Sequence, residues 1–460
     1  MISKTVISEF KRIVGETSVM TGEVDCQNYA YDAAVLEPEV PGAVVRPATG
    51  EEIGKIVKIC NENLIPVTVR GAGTNLSGGT IPLKNGIVLL TNRMNKILEL
   101  NEEDMYVRVE PGVVTAKLAA AVALRGLFYP PDPGSQAVST IAGNVAENAG
   151  GLRGLKYGVT KDYVMGMEFY DAGGNLVTSG SKTVKCVTGY NLAGLMVASE
   201  GTLGIFSEIT LKLIPPPKAS KAMMAIYDSV EAATETVAAI IADKIVPCTL
   251  EFLDNFTINA VEDFSKVGLP RDAKALLLIE VDGHPAEVAE DAKRVEEICK
   301  IHGANRIEVA KNAEEKIKIW EARRAALSAL ARLKPTLILE DATVPRSKIP
   351  AMVAAIEALA IKYNIPIGTF GHAGDGNLHP TILTDKRDKA EWKKVEACVG
   401  DLFDIALKLG GTLSGEHGIG LAKAGFMVKE VGQSSIDFSR RMKKSIDPNT
   451  ILNPGKILGR

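Results

Sequence analysis

The sequence predicts an α+β protein of two domains, with a turn-rich C-terminal segment that docks on another part of the chain. Three observations predict this. The 460 residues exceed what one ordinary core organises. The 43 glycines are concentrated between Arg70 and Gly204, which sets a glycine-heavy half beside an ordinary one. Ile214-Pro215-Pro216-Pro217-Lys218 reads as a linker, because consecutive prolines neither extend a helix nor donate to a sheet. The expected divisions are 1–217, 218–415 and 416–460.

Composition narrows the function. Apolar residues make up 46% and charged residues 24%, an ordinary globular balance, and the net charge of −3 gives no reason to expect nucleic acid or an anionic membrane as partner. The N-terminal Met1–Gly15 stretch is amphipathic and lacks the apolar core of a signal peptide. No segment reads as a transmembrane helix. The six cysteines are scattered without a CxxC pair, which argues against a disulfide framework, an iron–sulfur cluster or a zinc ribbon. Reduced thiols in a cytoplasm are the expectation.

The first half begins with a strand at Ala43–Val45, a helix at Glu51–Asn63 and a strand at Pro66–Val69 that runs into a glycine loop. Short strands follow near Ile87–Leu90, Lys96–Leu100 and Tyr106–Val109, then a helix near Val114–Leu124. This is not the regular order of a Rossmann domain, and no GxGxxG follows the first strand. After the linker, strands and helices alternate from Ala222 to His302, which fits a compact sheet with helices on one face. A long helix over Ala313–Leu333, a strand at Thr336–Leu339 and a helix at Ile349–Tyr363 come next.

The glycine loop Arg70-Gly71-Ala72-Gly73-Thr74-Asn75-Leu76-Ser77-Gly78-Gly79 can turn successive N–H groups inward as an anion nest, with Thr74, Asn75 and Ser77 adding donors. Three further segments extend it. They are Pro133-Gly134-Ser135 leading to Thr140, Gly143, Asn144 and Ala146; then Gly150-Gly151 with Tyr157-Gly158; then Glu200-Gly201 with Leu203-Gly204-Ile205. Four such segments suit one extended ligand, a dinucleotide with a flat ring, better than four unrelated turns.

Two short segments hold three of the five histidines: Gly371-His372-Ala373-Gly374-Asp375-Gly376-Asn377-Leu378-His379-Pro380 and Ser414-Gly415-Glu416-His417-Gly418. Two histidines around a Gly/Asp/Gly turn can converge, and a carboxylate from the second segment completes a set suited to Zn²⁺, Fe²⁺ or Mn²⁺. His284 and His302 lie in ordinary polar contexts. Residues alone also admit a metal-dependent hydrolase with a nucleotide on the glycine loops, or a subunit that binds the dinucleotide without turnover.

The order R-G-x-G-T-x-x-x-G-G, P-D-P-x-S, G-N-x-x-x-N-A-G-G, S-E-G-T-L-G, then G-H-x-G-D-G-N-x-H and S-G-E-H-G-I-G, resembles the vanillyl-alcohol-oxidase/PCMH-type flavoproteins. The branch is that of the flavoprotein component of glycolate oxidase, FAD-linked D-lactate dehydrogenase and D-2-hydroxyglutarate dehydrogenase. The resemblance implies a two-subdomain FAD-binding domain, a ferredoxin-like α+β substrate (cap) domain, and a C-terminal segment returning to the FAD domain. It implies that Arg70–Ser77 hold the pyrophosphate, that Pro133–Ser135 and Thr140–Asn144 line the flavin, and that Glu200–Ile205 lie near the ring or the adenine. Ala146, Gly150, Gly151, Tyr157, Gly158 and Asn453 join the FAD set. It gives the metal to His372, His379 and Glu416, the base role to His417, a substrate or ligand-shell contact to Asn377, and the substrate carboxylate to Arg323, three residues after Trp320. FAD should be non-covalent, because no histidine precedes His284.

The same likeness bears on substrate. The dicarboxylate branch carries a lysine where this chain has Leu339, and a threonine where it has Leu327. Apolar residues there would leave a distal carboxylate unpaired, so D-lactate is expected ahead of D-2-hydroxyglutarate and glycolate. No cysteine-rich extension follows Asn453-Pro454-Gly455-Lys456, so electrons are expected to leave to an electron-transfer flavoprotein, an iron–sulfur subunit, a quinone or oxygen.

Overall fold

The computed structural model describes residues 2–459 and divides into two compact units. Residues 1–150, 159–216 and 416–460 form the first, and residues 151–158 and 217–415 the second.

The first unit begins with the helix Lys4–Val14, capped by Ser3, whose hydroxyl accepts from the Val6 amide at 3.2 Å. Its first sheet has four strands in the order Val19–Met20, Ala43–Val45, Ile87–Leu90, Val67–Arg70. Ile87–Leu90 pairs in parallel with both of its neighbours, and the helix Gly50–Glu62 buries Ile53, Ile56 and Val57 in the same core. A second, five-stranded antiparallel sheet runs in the order Ile97–Asn101, Tyr106–Val109, Ile205–Lys212, Val164–Tyr170, Leu176–Gly180. The helices Thr115–Ala123 and Ile141–Glu147 pack in its core. The C-terminal segment belongs to this unit, where the Asn453 amide donates to the Val67 carbonyl at 2.8 Å beside a parallel bridge between Val67 and Leu452.

The second unit is built on an eight-stranded antiparallel sheet. Its order is Ala304–Val309, Ala219–Tyr227, Ala275–Gly283, Thr249–Asp254, Ile367–His372, Asn377–Thr384, Thr336–Leu339, with Ala342–Thr343 also on Asn377–Thr384. Helices cover both faces, not the single face expected. Met223, Ala225 and Tyr227 enter one core with the helices Val230–Ala242, Pro285–Ile301, Ile349–Tyr363 and Lys389–Lys408. Met224 and Ile226 enter the other with Asn255–Ser265 and Ala313–Ala331. Successive strand residues point to opposite faces, and here both sets are apolar, so both faces need cover.

Gly151–Gly158, expected within the first domain, groups with the second unit. The reason is local: Lys156 pairs with Asp282 at 2.7 Å, the Tyr157 hydroxyl donates to the same carboxylate at 2.8 Å, and Leu155 packs in the larger core of that unit. Among the described residues, no helix is long and apolar enough to cross a membrane.

Candidate active site

Strand register gathers the expected metal and substrate residues of the second unit on one sheet face. Phe370 lies opposite both Leu253 and His379, and His372 opposite Asn377. Opposed residues share a face, as do residues two apart on a strand. Glu251, His372, Asn377 and His379 therefore stand together, on the side covered by the helix Ala313–Ala331 that carries Arg323. The rings of His372 and His379 meet edge to face with centroids 5.1 Å apart, and each offers a nitrogen within 4.8 Å of the other's. Arg323 lies over the Phe370 ring at 4.6 Å. Leu339, opposite Thr381, shares this face with His379, and Leu327 is exposed on the helix.

Glu251 sits at the centre of this group and is fully buried. One carboxylate oxygen is 2.6 Å from Nδ1 of His372, and the other accepts from Nε of Arg323. Burial alone would raise its pKa, but the contacts with His372 and the Arg323 guanidinium outweigh that and hold the carboxyl at about 2. An ionised carboxylate only accepts, so the hydrogen between them is on Nδ1 of His372, and Nε2 is left as the ligand nitrogen. Asp341, also fully buried, offers an oxygen within 4.8 Å of a His379 nitrogen and accepts from Ser414 at 2.7 Å. Composition of this donor set, two imidazoles with one second-sphere carboxylate, fits a divalent transition-metal ion.

In the first unit the glycine loop leaves the end of the strand Val67–Arg70. None of the amides from Gly71 to Ser77 donates to a described residue, and Gly71 to Leu76 retain access to solvent. That run of open donors fits a pyrophosphate. The Arg70 guanidinium braces the loop instead of facing outward: it donates to the Tyr31 carbonyl at 2.6 Å and to Thr80 at 3.3 Å. Gly73 must be glycine, since its φ is +72° and a Cβ would lie 2.1 Å from that guanidinium. Asn75 donates to Asp32 at 2.7 Å, and a Cβ on Gly71 would lie 2.3 Å from the Thr140 hydroxyl. Pro133 and Ser135 accept through their carbonyls in the turn that precedes Ser139 and Thr140, and Gly134 faces open space. Thr140 caps the helix Ile141–Glu147 by accepting from the Gly143 amide at 3.3 Å.

Several of the expected contacts are taken up internally. Asn144 donates to Thr115 at 2.6 Å, and Asn453 donates to the carbonyls of Gly79 and Glu200 at 2.8 and 2.6 Å. The Ala146 carbonyl accepts from the Glu200 amide at 2.9 Å. Gly201, Leu203, Gly204 and Ile205 follow as a buried run into the strand Ile205–Lys212, where a Cβ on Gly204 would lie 2.7 Å from Phe169. Gly151, Tyr157 and Gly158 stand with the second unit.

The chain passes from the second unit to the first between Gly415 and Glu416, inside the S-G-E-H motif. Glu416 stands against Gly150, where a Cβ would lie 2.5 Å from its Oε2. His417 is buried, and the backbone after it is clamped: the Glu200 carboxylate accepts from the amides of Ile419 and Gly420, each at 2.7 Å. Glu147 lies beside Glu200. A Cβ on Gly418, whose φ is +85°, would lie 2.2 Å from Glu147 and 3.1 Å from Glu200. Burial and the neighbouring Glu200 charge push Glu147 well up; burial also raises Glu200, to about 7, but the two amides favour its ionised form, so the pair holds its proton preferentially on Glu147.

The sequence reading missed Glu251, Glu147 and Asp341. For Glu251 a signal existed: it is the one charge inside the apolar run Thr249–Leu253, and a buried charge in a strand needs partners. Glu147 and Asp341 gave none, because their neighbours arrive from distant parts of the chain.

A chain folded this way matches flavoproteins of known structure. The match to p-cresol methylhydroxylase with substrate bound covers 99% of this chain and 96% of that one, at a TM-score of 0.81 and 19% identity. Two family models match, an FAD-binding domain over residues 41–180 and the C-terminal domain of FAD-linked oxidases over residues 216–457. The chain belongs to the FAD-linked oxidases. The glycolate oxidase subunit GlcD of Bacillus subtilis (strain 168) is 49% identical over 100% of this chain and 98% of that protein. The protein of the same name from Escherichia coli (strain K12) is 39% identical over 90% of this chain and 83% of that protein. The D-lactate dehydrogenase of Anaerostipes hadrus is 36% identical over 99% and 98%.

Proposed function

We propose that this FAD-linked oxidoreductase converts a short D-2-hydroxy acid, D-lactate first among them, to its 2-oxo acid and passes the electrons to an external protein acceptor. The observation that carries this reading is the single sheet face holding His372, Asn377, His379 and Leu339 beneath Arg323. Bound FAD would supply the hydride acceptor, and a divalent cation on His372, His379 and Glu416 would stabilise the developing alkoxide. Arg323 binds the substrate carboxylate with the guanidinium nitrogens that Glu251 leaves available. Asn377 hydrogen-bonds the substrate or the ligand shell. His417 takes the hydroxyl proton. The open amides of Gly71–Ser77 bind the FAD pyrophosphate, with Arg70 acting as a brace.

Leu339 is apolar where a second substrate carboxylate would need a partner, and burying that carboxylate unpaired costs several kcal/mol. Glycolate is the second reading, favoured by the name of the 49%-identical relative. A dye-reduction assay with D-lactate, L-lactate, glycolate and D-2-hydroxyglutarate tests the order. The highest kcat/KM is expected for D-lactate, then glycolate. A preference for D-2-hydroxyglutarate would refute the pocket argument.

A further inference from the structure

Glu251 touches two residues of the proposed site, His372 and Arg323. We infer that Glu251 is a positioning residue whose one carboxylate sets both the ligand face of His372 and the aim of Arg323. The inference rests on the reading of His372 as metal ligand and Arg323 as carboxylate anchor.

The geometry is specific. Glu251 is on the strand Thr249–Asp254, two residues before Leu253, so it faces the helix Ala313–Ala331 from the sheet. One oxygen stands 2.6 Å from His372 Nδ1, which fixes that ring's tautomer and leaves Nε2 as the nitrogen that would hold a cation. The other oxygen accepts from Nε of Arg323, the nitrogen nearest the aliphatic stem. With Nε held and the guanidinium carbon over the Phe370 ring, 4.6 Å from its centroid, the two terminal nitrogens are restricted in direction. A carboxylate has only two oxygens, so the spacing between metal ligand and substrate anchor is set by a single group.

The alternative role for Glu251 is electrostatic: a buried negative charge that merely balances two cations. The two roles differ in sign. Glu251→Gln removes a negative charge next to the anion site, so a charge-balancing role makes the variant bind a carboxylate more tightly. A positioning role makes it bind more weakly, because Arg323 is free to turn.

The test uses FAD-loaded full-length protein. Zn²⁺ affinity is measured by equilibrium dialysis, and affinity for oxamate, a carboxylate that cannot be oxidised, by perturbation of the flavin spectrum. Glu251→Gln is expected to lower Zn²⁺ affinity roughly 10–100-fold, the usual effect of losing a second-sphere partner. Oxamate affinity is expected to fall roughly tenfold, equivalent to about 1.4 kcal/mol. Unchanged Zn²⁺ affinity, or tighter oxamate binding, would overturn the inference. If the wild-type protein takes up no Zn²⁺, the metal reading fails, and with it the His372 half, while the oxamate arm still decides the Arg323 half. If the variant loses FAD or fails to fold, ¹⁵N NMR of the wild-type histidine rings decides, since only five histidines contribute. Zn²⁺ on Nε2 of His372 with a hydrogen-bonded Nδ1–H supports the inference; Zn²⁺ on Nδ1 overturns it.

Discussion

Arg323 and Arg324 are chain neighbours with opposite surroundings. Arg323 is largely buried, pairs with Glu251 and lies over the Phe370 ring, whereas Arg324 is exposed and donates to the Ile317 carbonyl at 3.4 Å. A helix turns 100° per residue, so adjacent positions cannot face the same neighbour. Arg323→Met is therefore expected to raise KM for D-lactate about 10- to 150-fold, the worth of a charge-assisted hydrogen bond of about 1.5–3 kcal/mol, with kcat less affected. Arg324→Met is expected to leave both constants near wild type. Steady-state kinetics on the two variants checks this, and a KM effect on Arg324 would place the anchor one residue too early. The choice between these arginines was not open to sequence pattern, because both sit in one charged stretch; only the partner Glu251, 72 residues earlier in the chain, separates them.

At the scale of elements, the loop after His417 depends on two carboxylates from other segments. Glu200 replaces the solvent that the amides of Ile419 and Gly420 would otherwise bind, and Glu147 stays neutral beside it. Glu200→Gln is expected to destabilise the protein by about 1–3 kcal/mol, since a glutamine has one acceptor oxygen where Glu200 uses two, and one of the two buried amides is left without a partner. Glu147→Gln exchanges one neutral group for another and is expected to have little effect at acidic pH. Its pKa is raised in the folded state, so its contribution to stability is fully present below the unfolded value, about 4.3, and is lost as pH rises. Wild-type protein is thus expected to gain stability between neutral pH and about 4.5 relative to Glu147→Gln. Thermal unfolding of both proteins across that range checks it, and parallel pH profiles would show Glu147 already ionised. The glycine motifs made these loops visible in the sequence because backbone donors need only glycine and turn residues to be recognised. Arg70, Asn144 and Asn453 were assigned to the ligand on the same motifs, yet their side chains close contacts within the fold. A motif records that a residue is needed, and does not distinguish contact with ligand from support of the loop.

For the whole molecule, the chain crosses between its two units at residues 150/151, 158/159, 216/217 and 415/416. Prolines mark the third crossing, and the last falls inside S-G-E-H. The first two had no composition shift to reveal them, because Gly151–Gly158 is held by Asp282, a partner more than a hundred residues later. The two-faced helical cover of the large sheet was legible in hindsight from strands such as Ala222–Tyr227, whose unbroken apolar run leaves no polar face for solvent.

The central claim joins the two halves of the sequence in one reaction: a bound flavin is reduced by a small D-2-hydroxy acid whose proton goes to His417. Anaerobic stopped-flow mixing of the FAD-loaded protein with D-lactate tests it most directly, comparing wild type with His417→Asn. Wild-type flavin is expected to bleach, and the variant, with FAD still bound, to bleach roughly 10²–10⁴-fold more slowly, the usual worth of a positioned base. A variant that reduces its flavin as fast as wild type, or a wild-type flavin that D-lactate leaves oxidised, would contradict the account.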